Sequence, residues 1–335
     1  MATALFDTPA LIDGFGRRID YVRLSVTDRC DLRCVYCMPE RMRFLPRADL
    51  LSIDELAELG GILIGSGVRR IRLTGGEPLV RPGVLDLVGR LGAWLGRGLD
   101  ELTLTTNGTR LAGAAEALAD AGVQRINVSL DSRDPERFRA ITRGGDLARV
   151  LDGIDAAVAA GLRVKINMVA LKGLNEDEIA DMLVWCGARG FDLSLIETMP
   201  LGLVEEDRTD RYLPLPEVRA ALEKRFTLTP SAHRTGGPSR YFDVAETGGR
   251  IGFITPLTRN FCATCNRVRV TATGTLYPCL GHARKVELRD PLRAGDQAAV
   301  QTALDQALAA KPQAHDFDIA RPSPAVARHM SVTGG

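Results

Sequence analysis

Between residues 21 and 198 the chain returns six times to a short β-rich run, and along five of these runs apolar and polar residues alternate. The runs are YVRLSV (21–26), RIRLT (70–74), LTLTTN (102–107), RINVSL (125–130), VKINMVA (164–170) and LSLIET (193–198). Successive side chains on a strand point to opposite faces, so Val22 and Leu24 share one face and Arg23 and Ser25 the other. The same split sets Ile71 and Leu73 against Arg72 and Thr74, and Leu102 and Leu104 against Thr103 and Thr105. It sets Ile126 and Val128 against Asn127 and Ser129, and Val164 and Ile166 against Lys165 and Asn167. Stretches such as SIDELAELGGILIG and GDLARVLDGIDAAVAAG between the runs read as amphipathic helices. Ser52, three residues before Glu55, has capping-box spacing. Strands alternating with helices predict a parallel α/β sheet with helical crossovers. An open doubly wound sheet wants both faces apolar. One apolar and one polar face predicts a curved, barrel-like sheet with helices outside and a wet lumen. The alternative is a one-sided sheet with its polar face in solvent. With a lumen, Arg23, Arg72 and Lys165 make its occupant an anion.

Bulk properties narrow the function. Lys plus Arg is 43 and Asp plus Glu is 42, a formal net charge of +1. So even a balance argues against a general nucleic-acid or membrane-surface binder, and anion recognition must be local. The first residues lack the basic segment and apolar run of a secretory leader. No stretch reaches the roughly 18 apolar residues of a membrane span. A cytoplasmic, reducing location is therefore expected, where clustered cysteines read as metal ligands. The 335 residues suit one large domain and a smaller one. The charged, Pro-containing segment 201–216 reads as a loop at the barrel mouth. From about 226 short strands with Gly-rich turns take over, which divides the chain at 14–225 and 226–335.

The seven cysteines fall as Cys30/Cys34/Cys37, Cys186 alone in a helix-like LVWCGA, and Cys262/Cys265/Cys279. Cys186 reads as packed core. The first triad, Cys-x3-Cys-x2-Cys, follows the first strand at the C-terminal edge of the sheet, where barrel sites form. Three thiolates are one short of a closed zinc site, and no histidine lies nearby. A [4Fe–4S] cluster tolerates three protein ligands and leaves one iron open. The second triad leaves zinc open as an alternative, because His282 follows Cys279 by three residues and would complete a Cys3His set. Immediately after Cys265 stand Arg267 and Arg269, two apart, so that on a strand both guanidinium groups point the same way. They make either a phosphate clamp or a solvated basic strand.

The first triad with Thr74-Gly75-Gly76-Glu77-Pro78 resembles the radical S-adenosylmethionine (SAM) superfamily. Adding GRRIDYVRLSVTDRCDLRCVYCMPE, LTTNG, INVSLDS, FCATCNRVRV and the terminal MSVTGG, residues 14–335 closely resemble the GTP 3′,8-cyclase family, which opens molybdenum cofactor biosynthesis. The resemblance implies an incomplete (βα)6 TIM-type barrel and a smaller C-terminal iron–sulfur domain. It implies two [4Fe–4S] clusters, one on each triad. Tyr36, Gly76, Ser129 and Met199 would then contact SAM. Arg23, Arg72, Thr105, Lys165, Arg267, Val268 and Arg269 would contact GTP, and Gly334 and Gly335 would reach into the site. Arg23, Arg267, Arg269 and this glycine pair would be the catalytic set. An electron donor and cyclic pyranopterin monophosphate synthase, the next enzyme, are the implied partners of a monomer or homodimer. Ser194 departs from the pattern, where relatives often carry arginine. Two other functions are open to the residues: a radical SAM enzyme acting on a peptide, and a non-catalytic iron–sulfur or zinc nucleotide sensor.

Overall fold

A computed structural model of the chain describes residues 10–204, 208–321 and 323–334. Six strands form in sequence order: β1 (Tyr21–Ser25), β2 (Arg70–Thr74), β3 (Glu101–Thr106), β4 (Arg125–Ser129), β5 (Arg163–Ala170) and β6 (Asp192–Glu197). Each neighbours the next and runs parallel to it. Parallel neighbours need long crossovers, and helices supply them: α1 (Ile53–Gly65), α2 (Val84–Gly92), α3 (Ala115–Asp120), α4 (Pro135–Thr142), α5 (Leu147–Ala159) and α6 (Ile179–Ala188). The start of α1 is fixed as its sequence predicts. Glu55 N–H donates to Ser52 Oγ at 3.0 Å, and Ser52 N–H donates to Glu55 Oε2 at 2.6 Å.

Six further strands extend the same sheet. They are β7 (Leu228–Pro230), β8 (Arg240–Val244), β9 (Arg250–Ile254), β10 (Arg267–Val270), β11 (Thr275–Tyr277) and β12 (Val286–Glu287). The order is β12-β11-β10-β1-β2-β3-β4-β5-β6-β9-β8-β7. Strands from beyond residue 226 therefore sit on both edges of the six-strand centre. β10 joins β1 and β9 joins β6, each parallel. This placement brings the second cysteine triad beside the first, although more than two hundred residues separate them in sequence.

The alternation in the runs becomes the division between core and site. Val22, Leu24, Ile71, Leu73, Leu102, Leu104, Ile126, Val128, Val164 and Ile166 all pack in one hydrophobic core with Leu56, Leu59 and Leu63 of α1, Leu87 of α2 and Ile154 of α5. Burying each such side chain contributes about 1.5–3 kcal/mol. Cys186 lies in the same core. On β6 the split also holds: Leu193 and Leu195 are core, while Ile196 faces the opposite side and lines a cavity. The loop expected at 201–216 contains a short helix, Arg208–Arg211, and its residues 205–207 lie outside the described residues.

Candidate active site

The polar face of the sheet bounds a large cavity, and all six cysteines of the two triads line it. The first triad sits on the loop leaving β1. Its turn is closed by Cys37 N–H donating to Cys34 O at 2.9 Å, and Leu32 N–H donates to Cys30 Sγ at 3.4 Å. Burial pushes the Cys30 thiol up to about 12 and the Cys34 thiol well above its ordinary range. Glu77 acts in the same direction on Cys30, and Asp131 on Cys34. A bound cationic iron core would have to remove these protons, since metal binding and thiol deprotonation are coupled. Gly76 packs where a Cβ would overlap the Arg29 carbonyl, so glycine lets the β2 loop close against the base of the cysteine loop. Glu77 then accepts from Asn107 N–H at 2.6 Å and Thr106 Oγ1 at 2.8 Å, tying the β3 loop to the same base. Tyr36 is oriented by donating its hydroxyl to Asp131 Oδ2 at 2.7 Å. Gly76, Tyr36, Ser129 and Met199 line the one cavity.

The second triad approaches from the β10 side. Cys262 and Cys265 flank a short turn ahead of β10, and Cys279 follows β11. Burial would raise the Cys265 thiol, but Arg267 and Lys311 outweigh it and draw the group below its ordinary value. A tetrahedral zinc ion would hold its sulfurs about 3.8 Å apart. Among the described residues no three His, Cys, Asp or Glu side chains converge to hold a single metal ion. Cys262, Cys265 and Cys279 all line the cavity, and three thiols are the donor set of a cluster with one open iron. His282 does not line the cavity; its Nε2 lies 2.9 Å from Ala314 O and its Nδ1 3.5 Å from Asp316.

Between the triads lies a row of cations, and sheet register makes it. Arg269 on β10 pairs across from Arg23 on β1, and Arg23 across from Arg72 on β2. Arg267 lies on the same face as Arg269, and all four guanidinium groups reach the cavity. Among the described residues none of them pairs with a carboxylate, and the Nε atoms of Arg23, Arg72 and Arg267 are buried without a hydrogen-bond partner. Burial, with Arg72 and Arg267 alongside, lowers Arg23 to about 10 despite Tyr21. Burial and the cations of Arg23, Arg267 and Arg328 take Arg269 well below its usual value. Lys165, also in the cavity, donates to Tyr241 Oη at 2.6 Å, and burial with nearby arginines pushes it well down. Unpaired buried cations are costly. A polyanion entering here would relieve that cost. Thr105 and Asn167 complete the polar lining, and Thr105 Oγ1 has no partner. Val268 is placed otherwise: its side chain points into the core with Val22, leaving only its backbone toward the neighbouring strands. Ser194 is buried and shares a hydrogen with Ser239 at 2.9 Å, so no cation stands at that position.

The chain terminus closes on this row. The helix Met330–Thr333 ends with Gly334 at φ +75°, and Met330 and Ser331 line the cavity. Arg269 Nη1 donates to Thr333 O at 3.1 Å and to Gly334 O. A Cβ on Gly334 would overlap the Thr74 side chain. Gly335 lies outside the described residues.

Two further residues of the site carry no sequence signal, and a third carries one only through its motif. Tyr241 reaches Lys165 from an edge strand, and Asn107 places Nδ2 3.7 Å from Cys30 Sγ. Lys311 lies in a loop and contacts Cys265. Only Asn107, in LTTNG at a strand end, stands within a recognisable motif.

The family model described as Radical SAM superfamily matches residues 24–186, and the one described as Molybdenum Cofactor Synthesis C matches 191–317. A protein of Erythrobacter litoralis named GTP 3′,8-cyclase is 63% identical over 327 residues, covering 97% of this chain and 98% of its own. One of the same name from Rhizobium etli is 60% identical over 332 residues, covering 98% and 95%. Among solved structures, Streptococcus suis SuiB bound to S-adenosylmethionine is similar with a TM-score of 0.61 at 14% identity. It covers 94% of this chain and 77% of that one. The anSMEcpe structure with bound AdoMet has a TM-score of 0.57 at 14% identity, covering 85% and 80%. These two likenesses are of fold.

Proposed function

This chain belongs to the GTP 3′,8-cyclase family of radical SAM enzymes, and we propose that it converts GTP to (8S)-3′,8-cyclo-7,8-dihydroguanosine 5′-triphosphate, the first step of molybdenum cofactor biosynthesis. In this reading Cys30, Cys34 and Cys37 hold one [4Fe–4S] cluster, with SAM beside it at Tyr36, Gly76, Ser129 and Met199. Cys262, Cys265 and Cys279 would hold the second, which would supply an open coordination position for the guanine. When bound, the first cluster supplies the electron that cleaves SAM to methionine and a 5′-deoxyadenosyl radical. The adenosyl radical would take the hydrogen atom from ribose C3′ to give 5′-deoxyadenosine, and the C3′ radical would add to guanine C8. One electron from the electron donor with one proton would complete the product.

The protein's own groups bind, orient and enclose. Arg23, Arg72, Arg267 and Arg269, with Lys165 and Thr105, take the anionic substrate between the two triads. Each charge-assisted contact contributes about 1.5–3 kcal/mol. Fixing C3′ toward SAM and the guanine toward the second triad makes the ring closure a positioned, near-unimolecular event. Val268 contributes by its backbone at most, given where its side chain packs. Gly334 covers the site, with Arg269 linking that cover to the substrate. The parts 14–225 and 226–335 then share the labour within one continuous sheet: the first carries SAM cleavage, and both supply cations that capture the substrate. An electron donor and cyclic pyranopterin monophosphate synthase are the proposed partners of a monomer or homodimer.

The observation that carries this reading is the arginine row without carboxylate partners, lying between two cysteine triads on one cavity. A peptide-modifying enzyme has no need of it. Anaerobic protein given iron, sulfide, SAM, reductant and GTP should yield the cyclised nucleotide with 5′-deoxyadenosine. GTP binding with neither SAM consumption nor cyclised product would favour the sensor reading.

A further inference from the structure

Lys311 follows the helix Gln297–Ala309 and is buried, with 3% of its surface exposed. Its Nζ lies 2.6 Å from Pro278 O, 2.9 Å from Arg267 O and 3.6 Å from Cys265 Sγ. With Cys265 a thiolate, as cluster binding requires, all three partners are acceptors, and only the ammonium form of this nitrogen has three hydrogens to give. Two of the partners lie on the segments that carry thiols: Pro278 immediately precedes Cys279, and Arg267 is two residues beyond Cys265. One cation thus ties two of the three ligand-bearing segments together. The third is tied by Arg17, which donates to Cys262 O at 2.7 Å and to Pro312 O at 2.7 Å, next to Lys311 in sequence. Lys311 alone among these cations touches a thiol. At the first triad the charged groups bearing on Cys30 and Cys34 are carboxylates, Glu77, Asp31 and Asp131, and fellow thiols.

We infer that Lys311 is a positioning residue for the second iron–sulfur cluster, fixing Cys265 and Cys279 relative to each other and raising the cluster's reduction potential through its charge. This rests on the proposed reading of Cys262, Cys265 and Cys279 as a [4Fe–4S] site. Adding one electron takes such a cluster from the 2+ to the 1+ core with no bond made or broken. A fixed ammonium hydrogen-bonded to a ligand sulfur stabilises the added negative charge. The carboxylates bearing on Cys30 and Cys34 act in the opposite sense.

The test uses the full chain, reconstituted anaerobically, with Lys311→Met and Lys311→Arg. Iron per chain is measured, and a redox titration is followed by electron paramagnetic resonance. The second-site signal is assigned by its absence in Cys279→Ser. At the wild-type midpoint, Lys311→Met should drop the reduced fraction of the second cluster from half to about one tenth, roughly 60 mV for a one-electron couple. The first-site midpoint should stay where it is, and Lys311→Arg should remain close to wild type. Loss of second-site iron in Lys311→Met with retention in Lys311→Arg also supports the inference. An unchanged midpoint in Lys311→Met with both clusters present overturns it, as does a Lys311→Arg shift as large as that of Lys311→Met. Wild-type protein with iron at the first site alone overturns the cluster assignment beneath it.

Discussion

Gly334→Ala isolates the role of the chain terminus without touching a cysteine or an arginine. Gly334 has φ +75° and ψ 143°, close to the region that glycine alone adopts without strain, where other residues cost about 1–3 kcal/mol. The added methyl would also overlap the Thr74 side chain. Opposing these costs are two bonds from Arg269 to the Thr333 and Gly334 carbonyls, about 1.5–3 kcal/mol each for a charged donor. Strain and overlap together are of the same size as what holds the tail, so the docked state loses most of its advantage. Every 1.4 kcal/mol is about tenfold in population, and cyclised product should fall at least about tenfold. The segment that moves is a helix of 4 residues at the chain end, so thermal stability and iron content should hold. SAM cleavage should continue uncoupled from cyclisation, seen as 5′-deoxyadenosine exceeding cyclised nucleotide. Hydrogen exchange at 330–334 should accelerate. Wild-type turnover together with accelerated exchange would refute the covering role. Wild-type turnover with unchanged exchange would refute the strain argument itself.

Other perturbations read other parts of the account. Arg72→Met should weaken GTP binding by about 1.5–3 kcal/mol while raising the melting temperature of the ligand-free protein, because it removes a buried cation from a row of like charges; calorimetry on both states checks the pair of signs. His282→Ala should keep iron at both sites, since its ring is turned to Ala314 and Asp316; selective loss of second-site iron would reject that placement. Burial raises Asp131 from 3.8 to about 6, so between those values the folded protein keeps a proton the unfolded chain has released. Stability from this group therefore falls as pH rises through that window and is level above it. In urea unfolding, Asp131→Asn should flatten the slope, and a slope equal to wild type would reject the assignment.

Much of the centre of the fold is legible in the chain because two periodicities coincide there. The six strands appear within about one residue of the runs that predict them, since each is rich in strand-forming residues and five alternate in polarity. The same alternation assigns Arg23, Arg72 and Lys165 to one polar face, and that face lines the cavity. What the chain does not show locally is long-range. No local pattern says that β10 pairs with β1 and β9 with β6, yet those pairings set Arg269 beside Arg23 and bring the triads to one cavity. Val268 illustrates the limit of motif reading: within FCATCNRVRV it belongs to the signature, but strand geometry turns its side chain to the core. Lys311 and Tyr241 are invisible for a related reason. Their importance comes from which atom they touch, and nothing in AKPQAH or SRYFDV encodes that contact.

The central claim is that one cavity holds SAM at the first triad and GTP between the two, close enough for hydrogen to pass from ribose C3′. Anaerobic turnover of GTP deuterated at C3′ tests it most directly, with mass analysis of both products. The account predicts deuterium in 5′-deoxyadenosine, a cyclised nucleotide lacking it, and loss of both when Arg269 is replaced by alanine. Cyclised nucleotide that retains the deuterium, or unlabelled 5′-deoxyadenosine formed alongside it, would contradict the account.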